Sequence, residues 1–303
     1  MATFRLVVFA AALLASSAWG ADAQRTFATP EDAARALVAA AKAADTDALV
    51  AILGADARSI LSSGDARIDQ RNRERFVSAY EESNKLDEAG DATRVLVVGK
   101  EAWPFPIPLV QAAPGWRFDA TAGAQEILNR HIGRNELAAI QVIEAYVDAQ
   151  REYYLRNPQN DKLLQYAQKL VSAEGKRDGL YWPVQAGERP SPLGPLIGGL
   201  HATNTATATH DATTSAPYFG YRYRILKAQG PDAPGGAYSY LAQGTMIGGF
   251  ALIAWPVAYG KSGVMTFIVN HEGVVYEKDL GPDTVAEAQK ITEFNPDKSW
   301  KRV

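Results

Sequence analysis

Three prolines alternate with large apolar residues in the segment 103–109, and this pattern restricts where the segment can lie in a fold. In an extended chain, the N–H groups of every second residue point to the same side. Pro104, Pro106 and Pro108 therefore leave one side of the segment without hydrogen-bond donors. We expect an edge strand that pairs only through its other side, which also protects the edge from pairing with other chains. A polyproline-type recognition segment is the alternative.

The rest of the first half predicts helices followed by antiparallel strands. Thr29 and Asp32 form a capping box at the start of one helix, and a further helix is predicted over 68–80. Strands are predicted over 93–98 and 116–118, the second of them after a Pro-Gly turn. Helices that precede a sheet in this way indicate an α+β domain, for which we expect the bounds 24–130.

This order of elements, together with the G-W-R-F strand at 115–118, resembles the cone-shaped fold of nuclear transport factor two and its relatives. The resemblance implies N-terminal helices and a curved antiparallel sheet. Members of that fold include enzymes such as ketosteroid isomerase as well as non-catalytic modules, so the resemblance implies no single activity.

The second half opens with the longest helical pattern in the chain. Apolar residues recur at three- and four-residue spacing over 135–156, with Asn135 as the expected N-cap and Asn157-Pro158 as the stop. A second helix is predicted over 161–173, and a short third one over 191–200. A long helix followed by further elements indicates a second α+β domain, for which we expect the bounds 133–303.

The composition changes sharply after these helices. Residues 201–216 are rich in Ala and Thr, which predicts a flexible loop. The remainder predicts an antiparallel sheet followed by a final helix that Asp283 caps. The expected strands lie at 219–225, 250–254, 264–269 and 274–276, and the last two form a hairpin.

Several longer segments resemble an exported bacterial family that is catalogued as domain of unknown function 2950. The match covers nearly the whole mature chain, and the Ala/Thr-rich loop departs from it. The resemblance implies secretion and the two-part layout, but no activity and no catalytic residue. The segments that carry it are 135–154, 191–196, 235–256 and 259–284.

The second half also resembles the globular part of pilin-like secretion proteins, in which a long helix precedes a small antiparallel sheet. The strand pair F-x-V-N-x-x-G-x-V-Y at 267–276 carries this resemblance. Pilins have an apolar helix that packs the filament, and no such segment precedes Asn135. The resemblance therefore implies a pilin-like fold over 133–303 without filament assembly by that route.

The N-terminus has the layout of a cleaved secretory signal over residues 1–23. Arg5 precedes an apolar run from Leu6 to Ala18, which is shorter than the roughly 20 residues that span a bilayer. Ala21 and Ala23 then form a small-residue cleavage site. We expect a periplasmic or secreted protein with no integral membrane segment after cleavage. A short membrane anchor or a buried helix is the alternative.

Cysteine is absent from the chain, and the formal net charge is −3. An exported chain without cysteine has no disulfides, no N-terminal lipid anchor on sulfur and no thiol chemistry. Because the sequence has no basic stripe, we expect neither nucleic acid nor an anionic membrane surface as a partner.

Motifs that identify catalytic centres, such as a nucleophile elbow, a phosphate loop or a zinc-protease helix, do not occur in the sequence. We therefore predict no catalytic residue, no metal and no cofactor. The candidate ligand site is formed by Arg130, His131 and Arg134, which lie between the two predicted domains and could meet an anion there. A surface linker is the alternative for these three residues.

Weaker patterns have structural explanations that compete with the functional ones. His201 with His210-Asp211 is the nearest approach to a metal cluster, and His271 lies in the predicted hairpin turn. Glu144 and Asp148 are four residues apart on a helix and could act as acid and base, or simply be solvated. Aromatic residues that could stack on a glycan or pack in a core are Tyr153, Tyr154, Tyr181 and Trp182.

These observations favour a non-catalytic periplasmic module that binds a small ligand or an envelope protein. The alternative is an enzyme, a hydrolase or isomerase, that uses an apolar pocket in the cone-like domain. Buried ionisable groups with shifted pKa values inside that domain would favour the enzyme. A cone filled by aromatic side chains would favour the module, and the residues expected to fill it are Trp103, Phe105, Trp116 and Phe118.

Overall fold

The computed structural model describes residues 24–62, 65–194 and 217–303. The predicted signal sequence at 1–23 and the predicted loop at 201–216 lie outside the described residues. Helices and antiparallel sheets make up the described part of the chain, which confirms the predicted α+β class.

The chain divides into two compact units, Met1–Ile127 and Leu128–Val303. The boundary expected from the sequence lies a few residues later, between 130 and 133. We describe the two units one after the other as the first unit and the second unit.

Helices lead the first unit, as the sequence predicts. The hydroxyl of Thr29 accepts the backbone N–H of Asp32 at 3.1 Å, which confirms the predicted cap. The predicted helix at 68–80 is also confirmed, with longer bounds. The helices are α1 (Pro30–Lys42), α2 (Thr46–Leu53), a 3-10 turn (Ala55–Ala57), α3 (Arg58–Leu61) and α4 (Ala66–Glu82).

The sheet of the first unit is antiparallel and has β2 at its centre. β2 pairs with β1 on one side, and with β3 and β4 on the other side, while β5 pairs with β4. The strands are β1 (Asn84–Glu88), β2 (Thr93–Val98), β3 (Trp103–Pro104), β4 (Leu109–Ala112) and β5 (Gly115–Phe118).

The proline segment lies at an edge, as predicted, but it is not one continuous strand. The N–H of Phe105 donates to Leu96 in β2 at 2.7 Å, so the nitrogens of Pro104 and Pro106 face away from β2. Among the described strands, β3 pairs only with β2. Pairing with β2 stops after Phe105 and resumes at Leu109, which lies opposite Arg94.

Aromatic side chains fill the space between this sheet and the helices. Phe118 is fully buried, and Phe105 packs between it and Phe76, with ring centroids 6.2 and 5.1 Å away. Trp116 is also buried. Trp103 is 45% exposed because it lies on the short edge strand, so the expectation that it fills the interior is wrong.

The long helix α5 runs from Ala120 to Arg156, and the predicted start at Asn135 is therefore wrong. The carboxylate of Asp119 accepts the N–H of Ala122 at 3.0 Å, which is the bond of an N-cap. Asn135 is instead a buried residue inside the helix, and its side chain donates to the Ser262 carbonyl at 2.8 Å. The Asn135 side chain, which the sequence suggested as a helix cap, is therefore used in a tertiary hydrogen bond.

The main sheet of the second unit is antiparallel, in the order β14-β13-β12-β11-β6. The predicted strands and the hairpin are confirmed. The strands are β6 (Tyr221–Leu226), β11 (Ala251–Pro256), β12 (Met265–Asn270), β13 (Val275–Asp279) and β14 (Lys301–Arg302). Smaller pairs are formed by β7 (Ala228–Gln229) with β8 (Tyr238–Ser239), and by β9 (Leu241–Ala242) with β10 (Thr245–Met246).

Two helix predictions in the second unit have different outcomes. The final helix is present as α6 (Thr284–Lys290), although the side chain of Asp283 makes no capping bond. The helix predicted over 161–173 is wrong, because this segment has no regular structure. Its backbone bonds to distant partners instead, and the N–H of Tyr166 donates to Met246 at 2.8 Å. Most of the short helix predicted over 191–200 lies outside the described residues.

None of the helices in the described residues is both long enough and apolar enough to cross a bilayer.

Candidate functional site

Buried polar side chains, where the structure describes them, all belong to the second unit. Shifted pKa values in the first unit belong to surface groups only: Thr29 lowers the pKa of Asp32, Lys100 lowers that of Glu82, and Glu82 raises that of Lys100. The second unit is therefore the place to look for a built site. Its buried polar residues are Asn135, Gln150, Ser172, Ser191, Gln229, Thr266, Asn270 and Thr284.

The predicted ligand residues Arg130, His131 and Arg134 lie on α5 and not in a linker. His131 and Arg134 are exposed, and Arg130 is half-buried. Nε2 of His131 is 3.1 Å from the amide nitrogen of Asn135. Because that amide nitrogen can only donate, Nε2 accepts and the ring proton is on Nδ1. That these residues bind a ligand stays a prediction.

The weaker candidates have different positions. Glu144 and Asp148 are exposed on α5, and Asp148 pairs with Arg151 at 3.5 Å. His201 and His210 lie outside the described residues. In the described part of the chain, no group of three or more His, Cys, Asp or Glu side chains is placed to hold a metal ion.

The aromatic candidates divide between core and surface. Tyr153 and Trp182 are buried and meet edge to face, with ring centroids 6.5 Å apart. Tyr181 is half-buried and packs against the same core. Tyr154 is half-buried and stacks on Tyr166, with ring centroids 4.8 Å apart. The Tyr154–Tyr166 pair lies next to a concave surface of the second unit that carries several polar side chains.

This surface is a cleft of about 310 Å³, which we call the tyrosine–glutamine cleft. The cleft is lined by aromatic rings and by side-chain amides, and it carries one aspartate and two lysines. Its lining residues are Tyr153, Gln159, Gln165, Tyr166, Ala167, Gln168, Lys169, Asp178 and Lys227.

A side chain from α5 holds the wall of the cleft in place. Gln150 is fully buried; its Oε1 accepts the N–H of Ala167 at 2.8 Å, and its Nε2 donates to the Ala167 carbonyl at 2.8 Å. The same Nε2 donates to the hydroxyl of Tyr146 at 3.0 Å. Gln150 therefore satisfies both backbone groups of Ala167, which lies in a segment without regular secondary structure.

The side-chain amides of the cleft are oriented by hydrogen bonds within the protein. Gln168 donates to the carbonyl of Gly244 at 2.8 Å and accepts from Nζ of Lys227 at 3.0 Å. Gln159 donates to the hydroxyl of Tyr153 at 3.0 Å, and Gln165 donates to Asp161 at 2.6 Å. These bonds leave Oε1 of Gln159 and of Gln165 without a partner among the described residues, so both oxygens can accept from a ligand.

The charges of the cleft leave one positive charge uncompensated. Lys169 pairs with Asp178 at 2.6 Å. Burial alone would raise the pKa of Asp178, but the hydrogen bonds from Lys169 and the Ala173 N–H lower it. Lys227 bonds to an amide oxygen, and no carboxylate in the described part of the chain pairs with it. Two lysines and one aspartate give the cleft a net charge of +1.

Tyr153, Tyr166 and Asp178 of this lining do not change charge near neutral pH. Burial raises the pKa of Tyr153 to about 12, although the bond from Gln159 opposes the shift. Burial also raises the pKa of Tyr166. Since the pKa of Asp178 is lowered, the tyrosines stay neutral and the aspartate stays ionised. General acid–base catalysis is most efficient with a group that titrates near the working pH, so this lining suits binding better than proton transfer.

A second polar cluster lies at the turn between β12 and β13. Nδ2 of Asn270 and Nδ1 of His271 are buried and have no hydrogen-bond partner among the described residues. The rings of Tyr240 and Phe250 meet the imidazole edge to face, with centroids 5.6 and 6.1 Å away. A Cβ on Gly249 would lie 2.6 Å from Nδ1, so Nδ1 is enclosed by this glycine and cannot serve as an open ligand.

The same surroundings keep His271 uncharged. Burial lowers its pKa, while the charge of Glu272 and the backbone of Phe250 partly oppose the shift, and Arg151 adds to it. The neutral ring at neutral pH agrees with the structural alternative for this residue, a packed histidine in a turn.

Of the residues that line the cleft, the sequence indicated only Tyr153, as an aromatic that could stack on a glycan or pack in a core. Tyr166 falls within the helix predicted over 161–173, and Gln150 within the helix predicted over 135–156. A usable signal was the amide-rich run Q-Y-A-Q-K at 165–169, which is unusual for a core-facing helix. Lys227 could not be found in this way, because it comes from the end of β6.

The fold and the cleft define a two-unit α+β protein with one polar cleft whose groups are held in place by hydrogen bonds. The chain belongs to the family described as protein of unknown function (DUF2950), whose model matches residues 24–303. This confirms the family identified from the sequence segments. No curated protein matches the chain, and no solved structure matches it either. The cone-like and pilin-like resemblances therefore stay predictions.

Proposed function

We propose that this chain is an exported periplasmic protein that binds a ligand at the tyrosine–glutamine cleft without transforming it. The observation that carries the proposal is the combination of fixed amides and non-titrating groups in one concave surface. Side chains that are already oriented lose less conformational entropy on binding, which favours affinity.

Export is supported by the sequence of residues 1–23, which has the basic, apolar and small-residue regions of a secretory signal. The family match begins at Gln24, directly after the predicted cleavage site. The absence of cysteine is compatible with an oxidising compartment, since no thiol needs protection there.

The enzyme alternative depends on an apolar pocket in the first unit. Phe105, Trp116 and Phe118 occupy the interior there, and the shifted pKa values belong to surface groups. These observations favour a binding module over a hydrolase or isomerase that acts in this unit.

The test compares the mature chain with two double variants in a thermal-shift assay against fractionated envelope extract. The cleft variant is Gln168→Ala with Lys227→Met. The control is Gln185→Ala with Lys261→Met, which changes exposed residues of the same types outside the cleft. We expect at least one fraction to raise the Tm of the wild type and of the control but not of the cleft variant, because binding stabilises the folded state.

An equal Tm rise in the cleft variant, or no rise in the wild type with any fraction, would contradict the proposal. The fraction that raises the Tm is then recovered and analysed by mass spectrometry. An unchanged ligand agrees with binding alone, whereas a chemically altered ligand would favour the enzyme alternative.

A further inference from the structure

We infer that the tyrosine–glutamine cleft takes a short saccharide that carries a carboxylate. This inference rests on the proposed binding function and adds the chemistry of the ligand. Three features of the lining point to it: the aromatic rings, the side-chain amides and the single uncompensated lysine.

The aromatic rings match the apolar face of a sugar. Tyr166 lines the cleft beside Tyr153, and Tyr154 supports it by stacking at 4.8 Å with an interplanar angle of 29°. Phe250 meets Tyr166 edge to face at 4.9 Å, so the Tyr166 ring is fixed on two sides. A rigid, half-buried tyrosine gives a ligand apolar contact area and a hydroxyl at little cost in conformational entropy.

The glutamine side chains of the cleft can bind the adjacent hydroxyl groups of a sugar. Each glutamine side chain offers both donors and acceptors, as a sugar hydroxyl does. Gln159 and Gln165 each use a donor inside the protein and keep Oε1 for a ligand. An apolar ligand would leave these groups without water and without partners, which costs binding free energy.

The uncompensated charge selects an acidic ligand over a neutral one. Lys227 is exposed at the cleft, and among the described residues its Nζ bonds to Gln168 and to no carboxylate, while Lys169 is neutralised by Asp178. One carboxylate balances this charge. A phosphate monoester is a poorer match, because it carries a charge of about −1.5 to −2 at pH 7, of which a single lysine balances only part. The volume of about 310 Å³ suits a short ligand segment.

The experiment measures the affinity of the mature chain for an aldobiouronate, a disaccharide with one uronic acid residue, and for its methyl ester by isothermal titration calorimetry. Inorganic phosphate is titrated as a third probe. We expect the aldobiouronate to bind about 10-fold more tightly than the ester, which is the size of one charge-assisted hydrogen bond. In Lys227→Met the two saccharides should bind equally, whereas the control Lys261→Met, which changes an exposed lysine outside the cleft, should keep the preference.

Equal binding of acid and ester by the wild type, tighter binding of phosphate, or no saccharide binding at all would overturn the inference. The proposed function fails separately. If envelope fractions still raise the Tm in a cleft-dependent way while no saccharide binds, the binding function stands and only the chemistry of the ligand is wrong.

Discussion

Gln150 and Ala167 are 17 positions apart in the chain, and the side chain of the first satisfies both backbone groups of the second, at 2.8 Å each. An amide side chain here does what a neighbouring strand would do in a sheet. The wall of the cleft therefore depends on one buried residue of α5.

We expect Gln150→Leu to lower the free energy of unfolding by about 2–5 kcal/mol, because it leaves the buried N–H and carbonyl of Ala167 without partners. Urea denaturation measures this change. Gln141→Leu is the control, since Gln141 is an exposed glutamine of the same helix and should alter the value by no more than about 0.5 kcal/mol. Similar effects of the two substitutions would show that Gln150 does not hold the wall.

A second prediction concerns pH. Burial lowers the pKa of His271 below its ordinary value of 6.5, so the unfolded chain binds a proton more readily than the folded one. Above the pKa that this histidine has in the unfolded chain, the ring is neutral in both states and its burial does not change the stability. As the pH falls below that value and through the lower pKa of the folded state, the free energy of unfolding decreases. Glu272 favours the charged ring and Arg151 the neutral one, so both are kept unchanged in the test.

We therefore expect the Tm of the wild type to fall more steeply than that of His271→Gln between pH 7 and pH 5. Carboxylates contribute to both slopes, and the difference between the slopes isolates the histidine. Parallel slopes for the two proteins would contradict the burial of a neutral imidazole at this turn.

How far the sequence predicts the fold depends on the range of the interactions involved. The cap at Thr29 and the hairpin of β12 and β13 were predicted correctly, because their signals lie within a few residues. The start of α5 was not predicted correctly, because the side chain of Asn135 does not cap a helix but bonds to Ser262, 127 positions away. Helix propensity depends on neighbouring residues and contains no information about a partner so far away in the sequence.

The cleft was missed for the same reason. The spacing of Tyr166, Ala167 and their neighbours fits a helix, but their backbone N–H groups bond to Met246 and Gln150 instead of to a preceding helical turn. Lys227 enters the cleft from another element altogether. A polar site assembled from several elements has no signature in any one of them.

The edge strand provides a third prediction. The nitrogens of Pro104 and Pro106 face away from β2, so Pro104→Thr with Pro106→Thr would place donors on the side of the segment opposite β2. We expect this double variant to self-associate in light scattering while its circular dichroism spectrum stays unchanged.

Pro231→Thr, which changes an exposed loop proline, is the control for that experiment and should stay monomeric. A double variant that remains monomeric but loses a bound partner would support the alternative, in which the prolines form a recognition segment.

The most direct test of ligand binding at the cleft is to map the site by NMR. Amide chemical shifts of the isotope-labelled mature chain are recorded while the envelope fraction that raises its Tm is added. The account predicts that the largest shifts fall at residues 159–169 and at Lys227, which line or flank the cleft. Shifts centred on Arg130, His131 and Arg134, or confined to the first unit, with the cleft unchanged, would contradict it.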